Sequence, residues 1–245
     1  MKNTIRSMLL AAGALLVVTA CTDPTVAPKS MVSSANIFSE EASYKAFLAK
    51  IYAGLAVSGQ QGPAGNGDIS GLDEGFSQYM RLWWQMEELP TDEAAISWND
   101  GPLQELNTQI WASSNSFLGS MYYRIYFQVG LVNEFLRETT DAKLSSRGVS
   151  AAMTAEVKKY RAEARFLRAY SYWHGIDLFG PVPLVKETDE VGKTPPAQAT
   201  RGEVYNYVVS ELNAIRNDMP AAGAAESGRV DQGAVAMLLA KVYLN

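Results

Sequence analysis

The chain has 245 residues, 47% hydrophobic, 19% charged and 10% aromatic, which excludes collagen-like, disordered and multi-pass membrane chains. With 21 Lys+Arg against 26 Asp+Glu the formal charge is −5, so no basic excess neutralises phosphates and nucleic acid is not an expected partner. The single cysteine, Cys21, and the single histidine, His174, exclude an intrachain disulfide, a cysteine-cluster metal site and paired-histidine zinc chemistry, so no metal or cofactor is expected.

In chain order, Lys2 and Arg6 precede an uncharged, mostly apolar run from Met8 to Thr19. A membrane-crossing helix needs roughly 20 apolar residues, so this shorter run is the core of a secretory signal. Val18-Thr19-Ala20-Cys21 resembles the lipobox of bacterial lipoproteins, in which the cysteine is acylated and becomes the mature N-terminus. Residues 1–20 are therefore read as a signal peptide and Cys21 as the lipidation site, with more than one acyl chain giving a stable membrane anchor. Residues 21–34, polar and proline-containing, form the tether, and 35–245 the folded body.

The body reads as helical. Tyr44, Phe47, Leu48, Ile51, Tyr52 and Leu55 make one apolar stripe, on a helix that Ser39 can cap. The glycine-rich stretch Ser58 to Gly71 is predicted as a mobile loop or tip. Weak periodicity follows from Phe76 to Trp111, then a long helix from Leu118 to Leu136. A third helix, Thr154 to Phe179, is apolar on two adjacent stripes and should be central. Gly180, Pro181 and Pro183 end it, and PVPLV continues as an extended piece. Thr200 and Glu203 form a capping box before a helix expected to stop at Pro220, and a last helix begins at Val230. Its apolar face reaches Asn245 with no cap, so a C-terminal part is expected to be missing. The predicted class is all-α, a stack of helix hairpins of tetratricopeptide type with long loops.

Residues Arg161 to Val185, RAEARFLRAYSYWHGIDLFGPVPLV, closely resemble a signature of the SusD/RagB family, nutrient-binding lipoproteins of Bacteroidetes outer membranes. Leu89-Pro90-Thr91-Asp92-Glu93-Ala94 is similar to the family's T/S-D-E segment, and Tyr122 to Leu136 to its helix ending in N-x-x-L, with Asn133 in the Asn place. Arg201 to Pro220 and Gly228 to Leu244 resemble the two helices after that. The resemblance implies a surface-exposed lipoprotein that captures oligosaccharide, or in some members peptide. Its implied partner is a SusC-type TonB-dependent barrel, over which it acts as a lid.

Sugar binding suits aromatic rings, because a pyranose stacks its C–H face on a ring while its hydroxyls need fixed polar partners. Trp98, Asn99 and Asp100, in a turn-like SWNDGP stretch, are the ligand-facing candidates, with Trp83 or Trp84 behind them. Adjacent residues cannot point the same way, so one of Trp83 and Trp84 is expected to be structural. Lys158, Arg161, Arg165 and Arg168 share one helical stripe, read first as structural pairing with acids of neighbouring helices and second as an anionic-ligand groove. Glu87-Glu88 and Asp92-Glu93 are read as solvated loop charges, since a glycosidase pair must face across a cleft. His174 is read as packed and hydrogen-bonded. A helical-repeat scaffold that touches no nutrient is the rival reading.

Overall fold

The protein is described here by a computed structural model covering residues 36–59, 66–192 and 195–244. The signal peptide, Cys21 and the tether at 21–34 lie outside these residues. From Ile37 onward the chain forms one unit. Its elements are α1 (Ala42–Ala53), α2 (Tyr79–Glu88), α3 (Gly101–Asn107), α4 (Ser116–Glu138), α5 (Asp141–Ser146), α6 (Ala151–Phe179), β1 (Val182–Pro183), β2 (Gln198–Ala199), α7 (Arg201–Ile215) and α8 (Gln232–Leu244), with one 3₁₀ turn, Arg216–Asp218. The fold is all-α, as the periodicity predicts.

Short polar side chains set most helix starts, because each satisfies backbone N–H groups that have no partner inside the helix. The Asn115 side chain accepts from the N–H groups of Phe117 and Leu118, Thr140 from Lys143, and Ser150 from Met153. At α7 the predicted capping box is present: Glu203 N–H donates to Thr200 Oγ1 at 3.2 Å, and Thr200 N–H to Glu203 Oε2 at 2.8 Å. α1 departs from expectation. It starts behind Glu41 without a side-chain cap, so Ser39 does not cap it, and it ends before Leu55. α7 stops at Ile215, five residues short of Pro220, and tightens into the 3₁₀ turn. Gly180, at φ +70° and ψ −118°, ends α6 in a conformation that glycine adopts freely and side-chain-bearing residues rarely do. The extended PVPLV piece then pairs antiparallel, Val182 with Ala199 and Pro183 with Gln198.

α6 is central, as its wide apolar circumference predicts: it packs against α1, α4, α7 and α8. Its Val157, Tyr160, Leu167 and Trp173 join Leu48, Phe135, Val208 and Leu239 in the larger core. A second core gathers Tyr79, Leu82, Leu103, Leu106, Phe117 and Met121 from α2, α3 and the start of α4. Each such fully buried side chain contributes about 1.5–3 kcal/mol through apolar burial.

The glycine-rich stretch is not a simple mobile tip in its described parts. The Arg124 guanidinium, buried on α4, forms an ion pair with Asp68 at 2.6 Å and donates to Ser58 O, Ser77 O and Ser77 Oγ. Both flanks of the stretch are thereby fixed to one helix.

Candidate functional site

The second core carries a layer of chain, 90–111, whose outer side stays open. Segment 90–98 lies along α3 because two glutamines hold its carbonyls. Gln104 Nε2 donates to Trp98 O at 2.6 Å and Ile96 O at 3.4 Å, and Gln109 Nε2 donates to Pro90 O. Pro90 thus sits at the C-terminal end of α3 and Trp98 toward its N-terminal end.

Trp98 is 55% exposed, and the Arg81 guanidinium of α2 covers its ring at 5.1 Å from the centroid. Arg81 is itself fixed by donating to Gly75 O at 2.8 Å. The ring is therefore braced by a cation while more than half of the residue faces water, which is the arrangement a sugar face needs. Asn99 and Asp100 are exposed beside it, and Asp100 stands at the N-cap of α3 with a side chain that makes no capping bond. Trp98, Asn99 and Asp100 are thus brought together at one accessible corner.

The adjacent tryptophans of α2 divide as helix geometry requires. Trp84 is 48% exposed. Trp83 turns inward and stacks on His174 with ring centroids 5.1 Å apart. It also lines an apolar cleft of about 230 Å³ with Phe166, Tyr170, Trp173 and Met237. Structure therefore places Trp83 apart from the Trp98 corner. His174 accepts or donates at Nδ1 with Tyr79 Oη, 3.0 Å away, and is packed as the sequence suggests. Burial, followed by the charge of Lys241, pushes its pKa down to about 3, so the ring is neutral at neutral pH.

The cationic stripe of α6 is consumed largely by the interior. Arg165 binds Glu211 through two nitrogens, at 2.7 and 3.0 Å. Arg168 donates to Asn133 Oδ1 and Glu187 Oε2, both at 2.5 Å, and to Glu211 Oε2 at 3.0 Å. Arg161 donates to Leu136 O at 2.7 Å and Thr139 Oγ1 at 2.8 Å. Burial pushes the Glu211 carboxyl up, but the hydrogen bonds and charges of Arg165 and Arg168 outweigh it and hold the group below its ordinary range. Lys158 stays exposed. Pairing with acids holds for Arg165 and Arg168, whereas Arg161 is held by a carbonyl and a hydroxyl of α4 and its end instead.

Two carboxylate readings separate. Asp92 and Glu93 are exposed in a loop as expected, whereas Glu87 and Glu88 lie on α2 and are half-buried, so that pair is not a loop charge. Burial, then the charges of Asp177 and Glu88, raises the pKa of Glu87. Two contributors to the Trp98 corner, Arg81 and Gln104, escape sequence reasoning. Nothing local in the sequence announces a cation–π contact made from another helix, or a carbonyl held by a side chain six residues on.

Residues 69–244 match the model of the SusD-like family described as starch-binding and associating with the outer membrane. The chain is 35% identical over 197 residues, 80% of its length, to the starch-binding protein SusD of Bacteroides thetaiotaomicron, of which it covers 33%. A crystal structure of a SusD homologue from the same organism superposes with a TM-score of 0.65 at 22% identity, over 86% of this chain and 37% of that one. A laminarin-binding SusD-like protein superposes with a TM-score of 0.57 at 19% identity, over 83% of this chain and 40% of that one. The chain spans about a third of the length of the first of these relatives. Among the described residues no helix is long and apolar enough to cross a membrane. On the match over 69–244, this chain belongs to the SusD-like family.

Proposed function

We propose that the chain binds oligosaccharide at the outer membrane and does no bond-breaking itself. The observation that carries this reading is the Trp98 ring, braced on Arg81 and otherwise open, beside exposed Asn99 and Asp100. A stacked sugar would contact the ring, and the amide and carboxylate would meet its hydroxyls. A scaffold that touches no nutrient would bury its aromatics, whereas Trp84, Trp98 and Trp111 are all exposed. The relatives named for starch and laminarin point the same way.

Anchoring through acylated Cys21, surface display and delivery of the glycan to a SusC-type TonB-dependent barrel belong to the same proposal, and rest on the lipobox resemblance and the family. The test is retardation of the chain in native gels cast with starch or with laminarin. Retardation that Trp98→Ala abolishes, with no reducing sugar released, supports the reading; free migration in both gels overturns it. Labelling with radioactive palmitate that Cys21→Ser abolishes tests the anchor, and an unlabelled wild-type chain refutes it.

A further inference from the structure

At the far end of the same layer, α3 terminates in a way its sequence does not favour. Gln109 adopts φ +59°, and it is the single non-glycine residue at positive φ among the described residues. Its N–H donates to Leu106 O at 3.1 Å, and Ile110 N–H donates to Glu105 O at 3.0 Å. That is the paired bonding of a Schellman helix end, where glycine is the usual occupant and the following apolar residue usually packs back on the helix. Here the following residue, Ile110, is 76% exposed, and Trp111 after it is 46% exposed. Left-handed backbone at a side-chain-bearing residue persists only where the surroundings impose it, and it concentrates at functional sites. The imposing contact is the Gln109 side chain on Pro90 O.

We infer that Trp111 is a second stacking platform for the glycan held at Trp98, so that the site takes a chain of several sugars running along segment 90–98. This rests on the proposed sugar binding at Trp98. The occupant follows from continuity. Gln104 fixes the Trp98 end of the segment, and Gln109, two residues before Trp111, fixes the Pro90 end. Between them the exposed Thr91, Asp92, Glu93 and Ser97 offer polar groups to hydroxyls, where a protein partner would require more apolar cover. Gln109 acts as a positioning residue, which holds the turn that displays Trp111.

The test is calorimetric titration of the chain, Trp98→Ala and Trp111→Ala with maltotriose, maltoheptaose and the laminarin oligosaccharides of the same two lengths. Trp111→Ala should weaken the heptasaccharide about tenfold and leave the trisaccharide unchanged, while Trp98→Ala weakens both. Trp111→Phe, which keeps a ring, should retain most of the heptasaccharide affinity. If Trp111→Ala binds the heptasaccharide as wild type does, or loses both lengths equally, the second platform is wrong and the Trp98 reading stands. If the wild-type chain binds none of the four sugars, both readings fall.

Discussion

The seam between α4, α6 and α7 and the layer formed by α2, α3 and the 90–111 segment use similar residue types in opposite ways. In the seam, Arg165 and Arg168 are paired with Glu211 and Glu187, and Asn133 joins Arg168 to Val185 O. In the layer, Arg81 donates to Gly75 O and braces a tryptophan that remains open to water. Charge that is paired inside the molecule specifies packing. Charge that props up an exposed ring leaves binding capacity at the surface. The blocks that carry the family resemblance are correspondingly mixed: the A-E-A-R-F-L-R helix and the N-x-x-L helix meet at Arg168 and Asn133, inside the molecule.

The largest effect expected is from breaking the seam. Arg168→Met leaves Glu211 and Glu187 short of a partner and should lower stability by about 3–5 kcal/mol in urea unfolding, with glycan retention lost only as folding is lost. A change below 1 kcal/mol would mean that the ion pairs carry little of the packing. Acid probes the same seam together with the Glu138 pairs at the end of α4. Burial pushes the carboxyls of Glu138, Glu187 and Glu211 up, and Lys143, Arg147, Arg165 and Arg168 override it, so all three titrate below their ordinary range. Groups with depressed native pKa values stabilise above the unfolded value, near 4.3 for Glu, and lose that contribution as pH falls through the native one. The melting temperature should therefore fall steeply below about pH 4; a melting temperature that rises on acidification contradicts the assignment.

The layer should respond in the reverse sense. Trp98→Ala removes a half-exposed ring and is expected to leave stability within about 0.5 kcal/mol of wild type while glycan affinity drops at least about tenfold. Arg81→Ala, which removes the brace and keeps the ring, should cost less affinity than Trp98→Ala; equal losses would make the guanidinium itself a ligand contact. The smallest effect is from Gln109→Gly, which relieves left-handed strain and should raise stability by up to about 1 kcal/mol. A loss of stability would show that the Gln109–Pro90 contact outweighs the strain.

How much of this was legible in the sequence follows the same division. Apolar periodicity located α1, α4, α6 and α7, and Thr200-x-x-Glu203 fixed the start of α7 to the residue, because caps and stripes are local physics. The 76–111 region was opaque, since α2 and α3 are short and much of their packing is against α4 rather than periodic in themselves. The turn setting of Trp98 left an exposed and a packed ring both open, whereas one of the Trp83–Trp84 pair was bound to turn inward. Which one did depended on His174, ninety-one positions away from Trp83. The pinning of the glycine-rich flanks by Arg124 was likewise beyond a local reading, because nothing in Ser58 to Gly71 names a guanidinium from another helix.

In the proposed function, the ring at position 98 is the surface on which sugar stacks. The most direct test of this is the tryptophan emission of the wild-type chain, of Trp98→Phe and of Trp83→Phe, titrated with maltotriose and with laminaritriose, which are too short to reach Trp111. A saturable change in emission with at least one of these sugars is predicted in the wild type and in Trp83→Phe, and its loss in Trp98→Phe. A change that persists undiminished in Trp98→Phe contradicts the account.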